Sequence, residues 1–138
     1  MTTYVDASVV LRLVLGQPDA IAELDGFDRL VSSRLLRVEC LRSLDRLGLT
    51  AALTRDQVRT GLGDLEAFLE SVTLIDISTP VLTRAGQPLP SPLGTLDALH
   101  LATALLWQDW TRQAVAIATH DRSFALAARE YSLHVVGA

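Results

Sequence analysis

The sequence contains no lysine, so all 12 of its basic residues are arginine, and every mechanism that needs a lysine amine is excluded. Sixteen acidic residues leave a net charge of -4 at pH 7. A protein with this charge is not expected to attract nucleic acid through its overall field. Any phosphate-bearing partner would have to be held by local arginine clusters or through a metal ion.

Cysteine is nearly absent as well. Cys40 is the single cysteine, which allows no internal disulfide, excludes a cysteine-based metal site and fits a reducing compartment. No apolar run reaches the ~18 residues that a membrane span needs, and the first residues lack the features of a signal peptide. We therefore expect a cytoplasmic protein with no membrane segment.

The composition is that of a globular protein. The chain has 138 residues, of which 49% are hydrophobic and 20% charged, and this profile predicts one domain over residues 1–138. Strand patterns alternate with helical patterns, which favours an α/β fold with a mainly parallel sheet of four or five strands. Strands are expected near Thr3–Val5, Leu30–Ser32, Val72–Ile75, Ala114–Ala118 and Leu133–Val136. Helices are expected near Ala7–Leu15, Asp19–Phe27, Arg34–Leu47, Arg55–Ser71, Thr79–Gly86, Leu96–Trp107 and Arg122–Tyr131, with Thr95 as the cap of the helix from Leu96 and a bend or break at Gly61 and Gly63.

Three aspartates fall where a strand ends or a helix begins. They are Asp6, Asp97 and Asp121. In a parallel sheet the carboxyl ends of all strands lie at one edge, where ligands bind, so the three carboxylates are expected to converge. Glu39, in the second turn of a helix that follows a strand, can reach the same edge.

Each acid also has a simpler interpretation. Asp6 and Asp121 could serve simply as caps of the helices that follow them. Asp97 could only stabilise a helix amino end by its charge. Glu39 could form an ion pair with Arg42 on the same helix. A shared site explains the four acids with one cause, whereas the simple interpretations need four separate causes that coincide at one edge.

Clustered carboxylates have a chemical use. They repel one another unless a cation neutralises them, and an all-oxygen ligand set selects Mg²⁺ or Mn²⁺. A cation held in this way can lower the pKa of an attacking water and stabilise the leaving oxygen of a phosphodiester. The pattern therefore indicates phosphodiester hydrolysis that uses neither lysine nor cysteine.

Four segments together resemble a PIN domain, most closely the VapC-type toxins of bacterial toxin–antitoxin pairs. They are Tyr4-Val5-Asp6-Ala7-Ser8, Val38-Glu39, Leu96-Asp97-Ala98-Leu99-His100-Leu101-Ala102-Thr103-Ala104 and Thr119-His120-Asp121-Arg122-Ser123-Phe124. The resemblance covers nearly the whole chain, and the segments around Asp97 and Asp121 are its most specific parts.

The resemblance implies a three-layer α/β/α fold and an endoribonuclease dependent on Mg²⁺, for which Mn²⁺ can substitute. It implies catalytic roles for four acids, of which three bind metal, and hydrogen-bonding roles for two hydroxyl side chains. The catalytic acids are Asp6, Glu39, Asp97 and Asp121; the metal ligands are Asp6, Asp97 and Asp121; the supporting residues are Ser8 and Thr119. It further implies an RNA substrate, a homodimer and inhibition by a VapB-like antitoxin.

Two other small folds with acidic sites do not fit. A phosphorelay receiver domain needs a lysine, and a metal-dependent adhesion site needs serine where this chain has Val10. The alternative that remains is a catalytically silent PIN fold used only for protein interaction. His100, one turn after Asp97, could line the site, although a helix histidine whose hydrogen bonds are satisfied is the simpler interpretation.

Overall fold

The computed structural model describes residues 1–17, 24 and 26–138. Within those residues the chain forms five strands and six helices. The strands are β1 (Thr2–Val5), β2 (Arg29–Ser33), β3 (Val72–Ile75), β4 (Val115–Ala118) and β5 (His134–Val136). The helices are α1 (Ala7–Val14), α2 (Leu35–Leu49), α3 (Arg55–Leu69), α4 (Thr79–Ala85), α5 (Thr95–Thr111) and α6 (Arg122–Glu130).

The five strands form one parallel sheet in the order β3-β2-β1-β4-β5. β1 lies at the centre, between β2 and β4. The chain adds β2 and β3 on one side of β1 and then β4 and β5 on the other side. This is the arrangement in which a crevice opens beyond the carboxyl ends of the central strands. The predicted α/β class and parallel sheet are confirmed.

A core lies on each face of the sheet, and neighbouring residues of β1 contribute to opposite cores. Val5 joins the core beneath α1, α2 and α3, which includes Leu36 and Leu44. Tyr4 joins the core beneath α5 and α6, which includes Leu101 and Phe124. The result is the predicted three-layer α/β/α architecture. No helix among the described residues is both long enough and apolar enough to span a membrane.

Three details differ from the sequence-based prediction or lie beyond it. α3 is continuous, so a break at Gly61 or Gly63 is wrong. α5 begins at Thr95 with Gly94 as its cap, so Thr95 is not the cap. The helix predicted over Asp19–Phe27 lies largely outside the described residues.

Candidate acidic site at the carboxyl edge of the sheet

Asp6 is the buried centre of this edge. It follows β1 directly, and its backbone N–H donates to the carbonyl of Ala118 in β4 at 3.0 Å, so both strands fix its position. Its side chain makes no capping hydrogen bond to α1, so the capping interpretation is wrong. Instead, Oδ2 accepts hydrogen bonds from the hydroxyls of Ser8 at 2.7 Å and Thr119 at 2.8 Å.

The same two hydroxyls tie the loop after β4 to Asp6. A hydroxyl has one proton to donate, and Ser8 and Thr119 each donate it to Asp6. Their oxygens then accept backbone N–H groups, that of His120 at 3.0 Å on Ser8 and that of Asp121 at 2.9 Å on Thr119. The turn that carries Asp121 is therefore held against the end of β1.

Asp121 is exposed and caps α6. Its Oδ1 accepts the backbone N–H of Phe124 at 2.9 Å, as expected for an aspartate that precedes a helix. The capping interpretation is therefore correct for Asp121. It occupies only one of the two carboxylate oxygens, so it does not exclude a second role for this residue.

Asp97 lies half-buried in the first turn of α5. Its pKa is raised to about 6, chiefly by burial and then by the charges of Asp121, Asp6 and Glu39, while the charge of His100 lowers it. A carboxylate that responds to three other acids is close enough to share their electrostatic field. The four acids that the sequence singles out therefore belong to one electrostatic cluster at this edge.

Glu39 reaches the cluster from α2 and pairs with the buried His100. The two residues are separated by 61 positions in the chain. Arg42, the expected helical partner of Glu39, pairs with Asp45 instead. The ion-pair interpretation of Glu39 is therefore wrong, because its partner comes from α5, across the edge of the sheet.

His100 is fully buried and has partners on both sides of its ring. Its Nε2 contacts Oε1 of Glu39, and its Nδ1 lies 2.5 Å from the hydroxyl of Tyr4. That hydroxyl also accepts the backbone N–H of Ser33 at 3.1 Å. The histidine is satisfied, as expected, and one of its partners is an acid of the site. Its position one turn after Asp97 was the sequence signal that could have placed it there.

The free oxygens of the four acids decide what the site can bind. Among the described residues, one oxygen of Asp6, of Glu39 and of Asp121 accepts a protein hydrogen bond, whereas the second oxygen of each accepts none. Asp97 accepts none on either oxygen within the same part of the chain. Hard oxygen ligands of this kind suit Mg²⁺ or Mn²⁺, and a cation would offset their mutual repulsion.

The acids do not form a complete metal cage on their own. Across residues 1–17, 24 and 26–138, no three His, Cys, Asp or Glu side chains are grouped tightly enough to hold a metal ion unaided. Mg²⁺ does not require such a group, because it usually keeps several waters and takes one or two carboxylates together with substrate phosphates. The donor chemistry fits this metal, with substrate completing the ligand set.

Comparison with known proteins gives matches over most of the chain. A sequence model of the PIN domain family matches residues 3–130. Ribonuclease VapC46 of Mycobacterium tuberculosis is 37% identical over 105 residues, which cover 73% of this chain and 72% of that protein. Ribonuclease VapC47 of the same species is 25% identical over 134 residues, which cover 92% of this chain and 90% of that protein.

Two solved structures share the fold. VapBC2 from Rickettsia felis, bound to a DNA fragment from its promoter, matches with a TM-score of 0.68 and 14% identity over 98% of this chain and 97% of that chain. VapBC-5 from Mycobacterium tuberculosis, a member of the VapBC family of toxin–antitoxin systems, matches with a TM-score of 0.55 and 22% identity over 98% and 97%. At these identities the likeness concerns the fold alone.

Proposed function

Because this chain belongs to the PIN domain family, we propose that it is a VapC-type endoribonuclease toxin that hydrolyses RNA phosphodiesters with Mg²⁺ or Mn²⁺. The observation that carries the proposal is the cluster of four carboxylates, in which the charges of Asp6, Glu39 and Asp121 raise the pKa of Asp97. The similarity to two proteins named as VapC ribonucleases supports the same activity.

Asp6, Asp97 and Asp121 are the residues that would hold the metal. Asp6 would offer Oδ1, since Ser8 and Thr119 occupy its Oδ2. Asp121 would offer Oδ2, since the amide of Phe124 occupies its Oδ1. A bound Mg²⁺ supplies a water of lowered pKa and a positive charge for the phosphate. Glu39 would offer Oε2 as a hydrogen-bond acceptor in the site, since His100 occupies its Oε1.

An RNA cleavage assay tests the proposal. Cleavage should disappear in EDTA and return when Mg²⁺ or Mn²⁺ is added. Asp97→Asn should abolish turnover while circular dichroism and gel filtration remain those of the folded protein. Asp109→Asn is the matched control, because Asp109 is an exposed aspartate near the other end of α5. Full cleavage in EDTA, or equal loss in both variants, would refute the proposal.

The alternative function is a catalytically silent PIN fold that only binds another protein. It predicts no cleavage with either metal and no difference between wild type and Asp97→Asn. The purified protein would then bind its partner but would not cleave RNA. The carboxylate oxygens without a partner argue against it. Asp97 and Glu39 are half-buried, and burying a charge without compensation costs free energy, for which a silent fold offers no functional reason.

The proposed partners are a VapB-like antitoxin and a second copy of the chain. A ribonuclease acting in the cytoplasm requires an inhibitor, and an antitoxin arginine is chemically suited to it, because guanidinium pairs with carboxylates in a bidentate way. Inhibition should then weaken as Mn²⁺ is raised. Co-expression with the neighbouring short reading frame should restore growth and yield a complex, and sedimentation at micromolar concentration should show a dimer. Toxicity that co-expression does not relieve would refute the proposed antitoxin. Sedimentation that shows only a monomer would refute the proposed dimer.

A further inference from the structure

A line of hydrogen bonds runs from the backbone of β2 through two buried side chains to Glu39. It begins at the N–H of Ser33, passes through Tyr4 and His100, and ends on Oε1 of Glu39. Tyr4 and His100 are completely buried, whereas Glu39 is partly exposed. The line therefore leads from the rigid sheet to the one acid of the site that is carried by α2.

The directions of the hydrogen bonds follow from the two ends of the line, a backbone N–H and a carboxylate. A backbone N–H can only donate, so the oxygen of Tyr4 accepts the hydrogen bond from Ser33. At the other end of the line a carboxylate oxygen of Glu39 can only accept, so Nε2 of His100 donates to it. In a neutral ring Nδ1 then carries no proton and accepts the phenol proton of Tyr4. A neutral imidazole that accepts at Nδ1 carries its proton on Nε2, and that proton points at Glu39.

We propose that His100 is a positioning residue that holds the carboxylate of Glu39 in one orientation, and that Tyr4 selects the tautomer of His100 that can do so. Oε1 of Glu39 is occupied by the ring, and Oε2 is left for the site. Without this contact Glu39 would be a side chain on the surface of a helix, free to choose among rotamers. The catalytic consequence rests on the proposed ribonuclease function, but the tautomer and the orientation do not.

The ring is also confined sterically. Tyr4 lies edge-on to His100, with ring centroids 5.7 Å apart, and Phe124 lies at 6.4 Å on another side. Because the interior of a protein is close-packed, a ring confined in this way has little room to rotate. The ring that contacts Glu39 is thus held by the hydrophobic core beneath α5 and α6.

The first test is the tautomer, observed in metal-free protein. The chain has only 3 histidines, so long-range ¹H–¹⁵N spectra of histidine-labelled protein give few signals, and His100→Gln assigns the one in question. We expect a neutral ring with its proton on Nε2 in the wild type and a loss of that single tautomer in Tyr4→Phe. A wild-type ring with its proton on Nδ1, protonated on both nitrogens or averaged between tautomers would overturn the proposal.

The second test is kinetic and uses residues that act through Glu39. Tyr4→Phe and His100→Leu should each lower kcat by about tenfold to a hundredfold, the upper figure being what a 1 Å misplacement can cost, with KM for RNA unchanged. Their double variant should lose no more than His100→Leu alone, because both changes break the same line. His100→Gln, whose amide can still donate to Glu39, should retain more activity than His100→Leu. Multiplying effects or equal losses in Gln and Leu would overturn the proposal.

Thr103→Val is the matched control. Thr103 is buried on α5, and its hydroxyl donates to the carbonyl of Leu99 in the same helix at 2.7 Å, with no link to Glu39. It should keep the wild-type kcat, whereas a loss equal to that of Tyr4→Phe would mean that any buried hydroxyl matters. If His100→Leu fails to fold, Tyr4→Phe and His100→Gln still decide. A wild type without ribonuclease activity would refute the proposed function but leave the tautomer test intact.

Discussion

The hydroxyl of Thr119 donates a hydrogen bond of 2.8 Å to Oδ2 of Asp6, a residue 113 positions earlier in the chain. Oγ1 of that same threonine accepts the backbone N–H of Asp121 at 2.9 Å. One hydroxyl thus sets the distance between the acid after β1 and the acid at the start of α6. The link joins the carboxylate of Asp6 to the backbone of Asp121.

Removing that hydroxyl should therefore cost activity as well as stability. In Thr119→Val a buried carboxylate loses a donor and a backbone amide loses its acceptor, which costs roughly 1–3 kcal/mol of unfolding free energy. We expect kcat/KM for RNA to fall about tenfold or more, as a displaced catalytic group does. Thr119→Ser keeps the hydroxyl and should stay near wild type. Thr103→Val, which also removes a buried threonine hydroxyl, should keep its activity, and an equal loss there would contradict the prediction.

The fold could be predicted from the sequence because it depends on patterns within short segments. β4, Val115–Ala118, is a buried apolar run between a helix end and a turn, and its pattern alone identifies it. Asp6 could be placed because it directly follows β1, and Asp121 because it ends the short turn after β4; a parallel sheet brings such positions together. The position of an acid along the chain is enough for that inference.

The pairing of Glu39 with His100 could not be predicted in the same way. Helical spacing favours Arg42, three residues away on the same helix, as the partner of Glu39. His100 is distant in the sequence, and only the fold brings it to Glu39 across the edge of the sheet. Gly61 is similar, because local propensity treats it as a weak point of α3. The structure places it where a methyl group would lie 3.2 Å from a side-chain carbon of Leu44, so close packing of helices explains the glycine.

Asp97 gives a prediction for stability against pH in metal-free protein. Its folded pKa of about 6 lies above the ~3.9 of an unfolded aspartate, so the folded state binds the proton more tightly between these values. The unfolding free energy of the wild type should therefore decrease as pH rises from 4 to 6, relative to Asp97→Asn. Urea titrations in EDTA measure this difference, and Asp97→Asn should have a Tm roughly 2–4 °C higher at pH 7.5. Curves that stay parallel across that range would contradict the prediction.

Two glycines of α3 give a matched pair for the packing of the helices. Gly63 has nothing within 4 Å of an added Cβ, so Gly63→Ala should stabilise the protein by about 1 kcal/mol through helix propensity. Gly61→Ala has the same propensity gain but must displace Leu44, which is fully buried. Its gain should be smaller or reversed. Equal stabilisation in thermal unfolding would mean that α2 and α3 are not closely packed at Gly61.

Asp121 allows the capping role and the proposed metal role to be separated. Asp121→Asn retains Oδ1 for the amide of Phe124, but it replaces Oδ2 with an amide group that donates hydrogen bonds and repels a cation. Asp121→Ser retains a capping oxygen and has no second oxygen at all. Both residues cap helices about as well as aspartate, so both variants should keep the wild-type Tm in EDTA.

With metal the two roles give different results. Mn²⁺ should raise the Tm of the wild type, because a ligand that binds only the folded state stabilises it, and this rise should be reduced in Asp121→Asn and Asp121→Ser. Cleavage should fall in both variants despite their unchanged stability. Asp121→Ala, which loses the cap as well, should in addition lose about 0.5–2 kcal/mol of unfolding free energy. Full cleavage by the Asn and Ser variants would leave Asp121 with the cap as its only role, because a free oxygen that can be removed without effect is not a ligand.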